Sequence, residues 1–325
     1  MQTRTTRTGL ELTELGLGAA QLGNLYRTTT EEEVVETVDA AWECGIRYFD
    51  TAPHYGVGVS ERRLGEQLRG RPRDAFAVST KVGRLLVPDP DGAAGHDTEG
   101  FDVPADLVRQ WDFSRDGILR SVEDSLERTG LDRFDILYLH DPENHFEQAS
   151  TEGIGALIEL REQGVVSAVG AGMNYAAPLA ELIRRADVDI LMCAGRFTLL
   201  DDSALDELLP LAQERNVSIV AAGVYNSGLL GKPRPAADAL FDYAPAPPEM
   251  LARAHAIADV CEAHGVTLPE AAIAYVRRHP TVVSVVLGAR GRGQIDSNAQ
   301  RSAADVPEAL WRDLAAAGLI PDALA

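Results

Sequence analysis

The chain has 325 residues, and its 30 basic and 50 acidic side chains give a formal net charge of −20. This acidic balance argues against non-specific nucleic-acid binding and against docking on an anionic membrane, because both need a basic face. The sequence has no apolar run of about 18 residues, no signal-peptide pattern and no CxxC among its three cysteines, so it predicts neither a membrane span nor a disulfide framework. We therefore expect a cytoplasmic single domain over residues 1–325.

Short apolar runs alternate along the chain with amphipathic segments. The runs have the near-continuous apolar character of strands that are buried on both faces of a parallel sheet. They cover residues 15–19, 46–52, 76–82, 134–140, 166–172, 189–195, 217–223 and 281–288. Eight strand-then-helix units predict an α/β fold of the (β/α)8 TIM-barrel type rather than a doubly wound sheet.

Capping signals place the helices between these strands. Thr30 with Glu33 predicts a capping box, and Ser60 and Ser114 are predicted N-caps of the next two helices. An N-terminal hairpin that turns at Gly9 is expected beneath the barrel, and an extra helix is expected at the C-terminus. The further predicted helices cover 151–164, 178–187, 203–216, two segments within 248–279, 293–302 and 307–317. The long loops 84–113 and 224–247 follow strand ends, where barrel enzymes keep their active sites, so we expect them to cover a substrate or cofactor.

Polar side chains close three consecutive predicted strands. Asp50 ends the second strand and Tyr55 follows it, Lys81 lies near the end of the third, and His140 ends the fourth. Taken singly, the Asp could form a turn, the Lys an interior salt bridge and the His a structural contact. Together they suit proton transfer beside a carbonyl, because a buried ammonium lowers the pKa of a tyrosine and an imidazole can polarise the substrate oxygen.

Two glycine-rich segments and the remaining histidines are the other candidates for nucleotide, anion or metal sites. GLGAAQ lacks the third glycine of a Rossmann fingerprint, and GARGRG is not a Walker loop. GARGRG lies after strand 8 and before a helix, where Arg290 and Arg292 make it the best predicted anion site, with an ordinary exposed turn as the alternative. No metal-ligand spacing is present. The histidines interpreted as surface or helix residues are His54, His145, His255, His264 and His279.

The segments GIRYFDTAPHYGVGVSERRLGEQL, VSTKVGRLL and LYLHD resemble the aldo-keto reductase superfamily along the whole chain. The resemblance implies a barrel that binds a nicotinamide cofactor, NAD or NADP, and acts on a small-molecule substrate. It also implies a catalytic tetrad in which Tyr55 is the acid/base, Lys81 lowers its pKa, Asp50 orients Lys81 and His140 positions the substrate oxygen.

The same resemblance implies the cofactor contacts. Met173 stands where the family usually has a serine. The lysine near Gly288 and the arginine near Gln294 that NADP-selective relatives typically carry are missing, although Arg290 and Arg292 could compensate. We therefore expect NAD or dual cofactor use. The implied cofactor-binding residues are Gly18, Ala19, Ala20, Asp50, Asn174, Ser227, Leu229, Gly288, Ala289, Arg290, Gln294 and Asn298.

Within the superfamily, STKVGRLL, GRFTLLD and WDFS resemble the branch of L-fucose, D-threo-aldose and L-galactose 1-dehydrogenases and pyridoxal 4-dehydrogenases. This implies oxidation of an aldose or of the pyridoxal hemiacetal to a lactone, with Tyr55 as base. The alternatives are an NADPH-dependent reductase of aldehydes or ketones and a low-turnover cofactor-binding regulatory barrel. The expected substrate contacts are His140, Trp111 and Tyr225, with Phe113 and His145 as further candidates. The substrate, the direction of the reaction and the oligomeric state stay open.

Overall fold

A computed structural model describes residues 1–89 and 95–324, which include a closed eight-stranded barrel. Each barrel strand pairs in parallel with the next, and the last strand pairs with the first. The predicted (β/α)8 fold is confirmed. The strands are β1 (Leu15–Gly18), β2 (Tyr48–Asp50), β3 (Ala77–Val82), β4 (Ile136–His140), β5 (Ala168–Met173), β6 (Ile190–Ala194), β7 (Ser218–Ala222) and β8 (Val282–Gly288).

The strands are buried on both faces, as their near-continuous apolar sequence predicts. Inside the barrel, Tyr48, Ile136 and Tyr138 belong to one apolar cluster. The alternate residues, such as Phe49 and Leu137, face outward and belong to a larger cluster with the helices. Two layers of apolar side chains therefore hold the polar strand ends in fixed positions.

Side-chain caps mark the start of some helices, although not of most. Thr30 forms the predicted capping box, and the Ser114 Oγ accepts from the Gly117 N–H at 3.1 Å. Ser60 is not an N-cap, because the helix begins one residue earlier, after Gly58 at φ 86°. The helices are α1 (Glu31–Glu43), α2 (Val59–Leu68), α3 (Arg115–Thr129), α4 (Ile154–Glu162), α5 (Ala176–Arg185), α6 (Leu208–Glu214), α7 (Pro248–Ala263), α8 (Leu268–Arg277), α9 (Arg292–Ser302) and α10 (Glu308–Ala316). None of the helices in the described part of the chain is long and apolar enough to cross a membrane.

The N-terminal hairpin and the two long loops occupy opposite ends of the barrel. The hairpin strands Thr3–Thr5 and Glu11–Thr13 lie at the amino ends of the barrel strands, where Arg4 Nη1 donates to the Val282 carbonyl at 2.8 Å. The loop after β3 forms a hairpin of its own, Arg84–Pro88 with Leu107–Trp111, and residues 90–94 of this loop lie outside the described residues. The loop after β7 contains a short hairpin, Leu240–Phe241 with Ala244–Pro245.

Candidate active site

Asp50, Lys81 and Tyr55 form one hydrogen-bonded chain at the carboxyl end of the barrel. The Lys81 Nζ donates to Asp50 Oδ2 at 2.7 Å, to the Thr51 carbonyl at 3.0 Å and to Tyr55 Oη at 2.9 Å. Asp50 and Lys81 are each only 2% exposed. The direct pairing of β2 with β3 brings these side chains together, although they are 31 positions apart in sequence.

Burial and neighbouring charges have opposite effects on the pKa values of Lys81 and Tyr55. Burial alone would lower the pKa of Lys81, but the Asp50 carboxylate and Tyr55 outweigh it and raise the pKa above its ordinary value, so Lys81 is a cation. Burial raises the pKa of Tyr55, and the Lys81 cation opposes that rise without cancelling it. Lys81 therefore acts on the Tyr55 pKa in the direction expected from sequence, while burial of the phenol, which the sequence does not show, acts more strongly the other way.

Polar groups inside the barrel support Asp50 from below. Ser79 donates to Asp50 Oδ1 at 2.7 Å, and the Tyr48 hydroxyl lies 3.0 Å from Ser79 Oγ. Burial raises the pKa of Tyr48, which keeps its hydroxyl protonated. Both Asp50 oxygens are therefore hydrogen-bonded, and its carboxylate is fixed towards Lys81. Ser79 and Tyr48 were not predicted as site residues, since each lies inside an ordinary strand pattern.

Two imidazoles lie against Tyr55. The His140 ring centroid is 5.9 Å from that of Tyr55 and 5.5 Å from that of His54. Burial, reinforced by the cations Arg84 and Lys81, lowers the pKa of His140 well below its usual range. Burial likewise lowers the pKa of His54 to about 2, so both rings are neutral at physiological pH. The interpretation of His54 as a surface residue is wrong, because its ring packs edge-on to Phe101 from the long loop after β3.

A second charge pair, the buried Arg84 with the partly exposed Asp141, lies next to His140. Arg84 Nη2 donates to Asp141 Oδ2, and the same oxygen is 3.6 Å from His140 Nε2. Burial raises the pKa of Asp141 to about 6, although Arg84 opposes the rise. Sequence reasoning did not assign either residue a role. The signal that could have found them is their position, since Arg84 follows Lys81 by three residues and Asp141 follows His140 directly.

The residues expected to line the substrate site lie in two different parts of the barrel mouth. Trp111 stacks on Phe113 at 5.8 Å and lies 5.2 Å from the His145 ring, and the Arg84 guanidinium lies over it at 4.2 Å. These aromatic side chains therefore adjoin His140 through Arg84. Tyr225 lies elsewhere, because its hydroxyl donates to Asn298 Oδ1 at 3.3 Å. We therefore place Tyr225 beside the segment after β8 and not, as expected from sequence, in the substrate site.

Other predicted cofactor residues lie along the ends of β8, β1 and β7, and Asn174 follows the end of β5. Gly288 pairs with Gly18, and the Ala19 N–H donates to the Asp50 carbonyl at 2.8 Å. A Cβ at Gly288 would lie 2.4 Å from the Gln21 amide nitrogen, so a larger residue there would have to displace the Gln21 side chain. Ala20 begins the turn Ala20–Gly23, and Ala289 and Leu229 are each 1% exposed. Ser227 Oγ accepts a hydrogen bond from the Tyr243 N–H at 3.0 Å. The Asn174 carbonyl accepts one from Arg196 Nε at 2.7 Å.

Two neutral amides near these residues have unused hydrogen-bonding atoms. Both side-chain polar atoms of Asn226 and the Oε1 of Gln21 are buried and find no partner within the described residues. Neither residue was predicted from sequence. Buried polar atoms without partners are costly, so these amides point to a polar ligand along the ends of β1 and β7.

The two arginines after β8 are engaged by the protein itself. Arg290 donates to the Thr29 hydroxyl at 2.8 Å and to the Leu25 carbonyl at 2.7 Å, and its N–H donates to Gln294 Oε1 at 2.9 Å. Arg292 forms an ion pair with Glu43 at 2.7 Å. The predicted anion site therefore has no guanidinium held free for a phosphate group in this conformation.

Comparisons with known proteins give consistent matches over nearly the whole chain. The model of the Aldo/keto reductase family matches residues 14–317. D-threo-aldose 1-dehydrogenase of a Pseudomonas species is 47% identical over 96% of this chain and 96% of that protein. Pyridoxal 4-dehydrogenase of Microbacterium luteolum is 39% identical over 97% of this chain and 96% of its own length. Among solved structures, an aldo-keto reductase from Bacillus halodurans in its holo form has a TM-score of 0.74 and 28% identity, covering 96% of this chain and 94% of that one.

Proposed function

Since the chain belongs to the aldo/keto reductase family, we propose that it is a dehydrogenase that oxidises the anomeric hydroxyl of an aldose to a lactone. The observation that carries the proposal is the buried chain Asp50–Lys81–Tyr55, which ends on a phenol that can exchange a proton. The 47% identical D-threo-aldose 1-dehydrogenase supports the choice of an aldose. Pyridoxal is the second substrate to test, because the 39% identical relative is named for it.

In the proposed reaction, Tyr55 is the base. The reacting form is the phenolate, a minor form because burial raises the Tyr55 pKa, and the Lys81 cation stabilises it; it accepts the proton of the anomeric hydroxyl as hydride leaves the anomeric carbon. His140 is neutral and can donate a hydrogen bond to the same substrate oxygen, while Asp50 holds Lys81 in its charged form. A bound oxidised nicotinamide supplies the carbon that accepts the hydride. The products are a lactone, the reduced cofactor and a proton held by Tyr55.

The residues at the ends of β1, β7 and β8 fit a nicotinamide dinucleotide. Gly18 and Gly288 let the backbones approach closely, and the unpartnered amides of Gln21 and Asn226 offer hydrogen bonds to neutral groups. We assign NAD or dual use, because Arg290 and Arg292 are held by Thr29, Leu25 and Glu43 rather than free for a 2′-phosphate. The cofactor contacts predicted from sequence, including Asn174, Ser227, Leu229, Ala289, Gln294 and Asn298, belong to this proposal.

A substrate screen tests the proposal directly. Purified protein is incubated with NAD or NADP and L-fucose, D-arabinose, L-galactose or pyridoxal, and the absorbance of the reduced cofactor is followed. We expect oxidation of at least one aldose, with kcat/KM for NADP not exceeding that for NAD by about tenfold.

Two results would contradict the proposed reaction, and a third would contradict the cofactor assignment alone. Oxidation of NADPH by simple aldehydes without any aldose oxidation would show a carbonyl reductase instead. Cofactor retention with neither activity would show a regulatory barrel. Aldose oxidation with at least tenfold preference for NADP would leave the reaction standing and overturn the cofactor assignment alone.

A further inference from the structure

The ion pair Arg84–Asp141 borders the proposed reaction centre without taking part in the proton transfer described above. Asp141 Oδ2 accepts from Arg84 Nη2 and stands 3.6 Å from His140 Nε2. That separation is too long for a direct hydrogen bond, so the imidazole and the carboxylate face each other across a gap. Both charges also act on the centre, since Asp141 raises the pKa of Tyr55 and Arg84 lowers that of His140.

This pair is costly for the fold. Arg84 is 8% exposed and the Asp141 side chain is 25% exposed, so removing the guanidinium from water carries a desolvation penalty that the ion pair must offset. Asp141 also lies in the left-handed region at φ 41°, a conformation that few side chains other than Asn and Asp adopt readily. The Asp141 carboxylate thus stays partly accessible beside a buried guanidinium.

The surroundings of the pair have unused hydrogen-bonding capacity. Arg84 Nε, His140 Nδ1 and Glu143 Oε2 are buried and have no hydrogen-bond partner in the part of the chain that is described. The Trp111 ring lies 4.2 Å from the Arg84 guanidinium carbon and fixes the plane of that group. A rigid donor beside a rigid acceptor is suited to a hydroxyl group, which donates one hydrogen bond and accepts others.

We propose that Arg84 and Asp141 form a subsite that binds the C2 hydroxyl of the aldose and so selects substrates by the presence and configuration of that group. This inference rests on the proposed function. If the anomeric oxygen lies between Tyr55 and His140, the nearest polar groups of the sugar are the ring oxygen, which cannot donate a hydrogen bond, and the C2 hydroxyl, which can. Asp141 accepts a hydrogen bond from that hydroxyl, and Arg84 donates one to its oxygen.

The test compares substrates that differ only at C2. D-arabinose, its C2 epimer D-ribose and 2-deoxy-D-ribose form one series, and L-fucose with 2-deoxy-L-fucose forms a second pair. The value of kcat/KM is measured for the wild type, Asp141→Asn and Arg84→Gln. Glu159→Gln is the matched control, because it removes a surface carboxylate that is paired with Arg115 at 2.9 Å.

For the wild type we expect kcat/KM to fall at least about tenfold when the C2 hydroxyl is absent, because a site built to bind a hydroxyl is left with unpaired polar groups. Asp141→Asn and Arg84→Gln should lose most of this discrimination, read within each variant as the ratio of kcat/KM for the hydroxylated sugar to kcat/KM for the deoxy sugar. Asn is suited to the position because it tolerates a positive φ. Glu159→Gln should behave as the wild type.

The outcomes separate the two proposals. If the wild type oxidises aldoses and both variants keep the wild-type ratio between hydroxylated and deoxy substrates, the subsite is overturned and the proposed function stands. Equal loss on all substrates in both variants would show a purely structural pair and would also overturn it. If the wild type oxidises no aldose, the proposed function fails and the subsite fails with it.

Discussion

Tyr55 is the residue on which the proposed chemistry depends. Removing its hydroxyl in Tyr55→Phe deletes the acid/base group and leaves the ring contacts with Phe101 and His140 in place. We expect the rate of aldose oxidation to fall by about 10²–10⁴, typical of the loss of an acid/base group. Cofactor affinity, measured by fluorescence titration, should change by no more than a few-fold. A fully active variant would show that another group exchanges the proton.

At the same scale, the sequence identifies some site residues and not others for physical reasons. Asp50, Lys81 and His140 stand out because each interrupts an apolar run at the end of a strand, where the fold alone sets its position. His54 and Asp141 lie in turns, so their burial depends on how distant parts of the chain fold back over them. His54 is covered by Phe101, which is 47 positions away, a contact that no local pattern contains.

Among the elements, α2 and α3 approach each other closely at Gly65. A Cβ at this position would lie 2.1 Å from the Thr129 carbonyl oxygen, a backbone atom that cannot move aside alone. We expect Gly65→Ala to lower the free energy of unfolding by about 1–3 kcal/mol, despite the better helix propensity of alanine. Urea denaturation measures the change.

Gly70→Ala is the matched control for Gly65→Ala. Its added methyl meets no atom within 4 Å, so the free energy of unfolding should change by no more than about 0.5 kcal/mol. A Gly65→Ala variant as stable as this control would show that α2 and α3 can separate at little cost.

Element positions were predictable where hydrophobic pattern and capping agree. All eight barrel strands lie inside their predicted ranges or within one residue of them, because buried parallel strands leave a continuous apolar signature. The start of α2 was misplaced for the opposite reason. The tight turn before it ends at Gly58 in the left-handed conformation, and Ser60 Oγ donates to the Ala19 carbonyl at 2.7 Å rather than capping the helix.

On the scale of the whole molecule, charge is distributed so that the arginines stabilise the fold. Arg7 and Arg161 bind the buried Asp189, and Arg128 binds the fully buried Glu61. With a net charge of −20, an anionic cofactor meets an unfavourable field unless neutral donors hold it. The unpartnered amide nitrogen of Asn226 is such a donor, whereas the unpartnered Oε1 of Gln21 accepts and so suits a hydroxyl or amide group of the proposed cofactor.

The stability of the whole barrel should depend on pH through His54. Its pKa is about 2 in the folded chain against an ordinary 6.5, so below pH 6.5 the unfolded chain binds a proton that the folded chain does not. The contribution of His54 to the free energy of unfolding is therefore fully present above about pH 6.5 and is lost as the pH falls below that value. Between about pH 7.5 and pH 5.5 this one group accounts for a loss of about 1.4 kcal/mol.

We expect His54→Gln to be less sensitive to pH than the wild type. Its free energy of unfolding, measured in urea, should fall between pH 7.5 and pH 5.5 by about 1.4 kcal/mol less than that of the wild type. His140 changes stability in the same direction, and Asp141, with its raised pKa, in the opposite one, but both are present in the wild type and the variant and cancel in the comparison. His96→Gln is the control, because that side chain is 75% exposed. The control should follow the wild type. An equal pH dependence in all three proteins would show that His54 takes up its proton within the folded barrel.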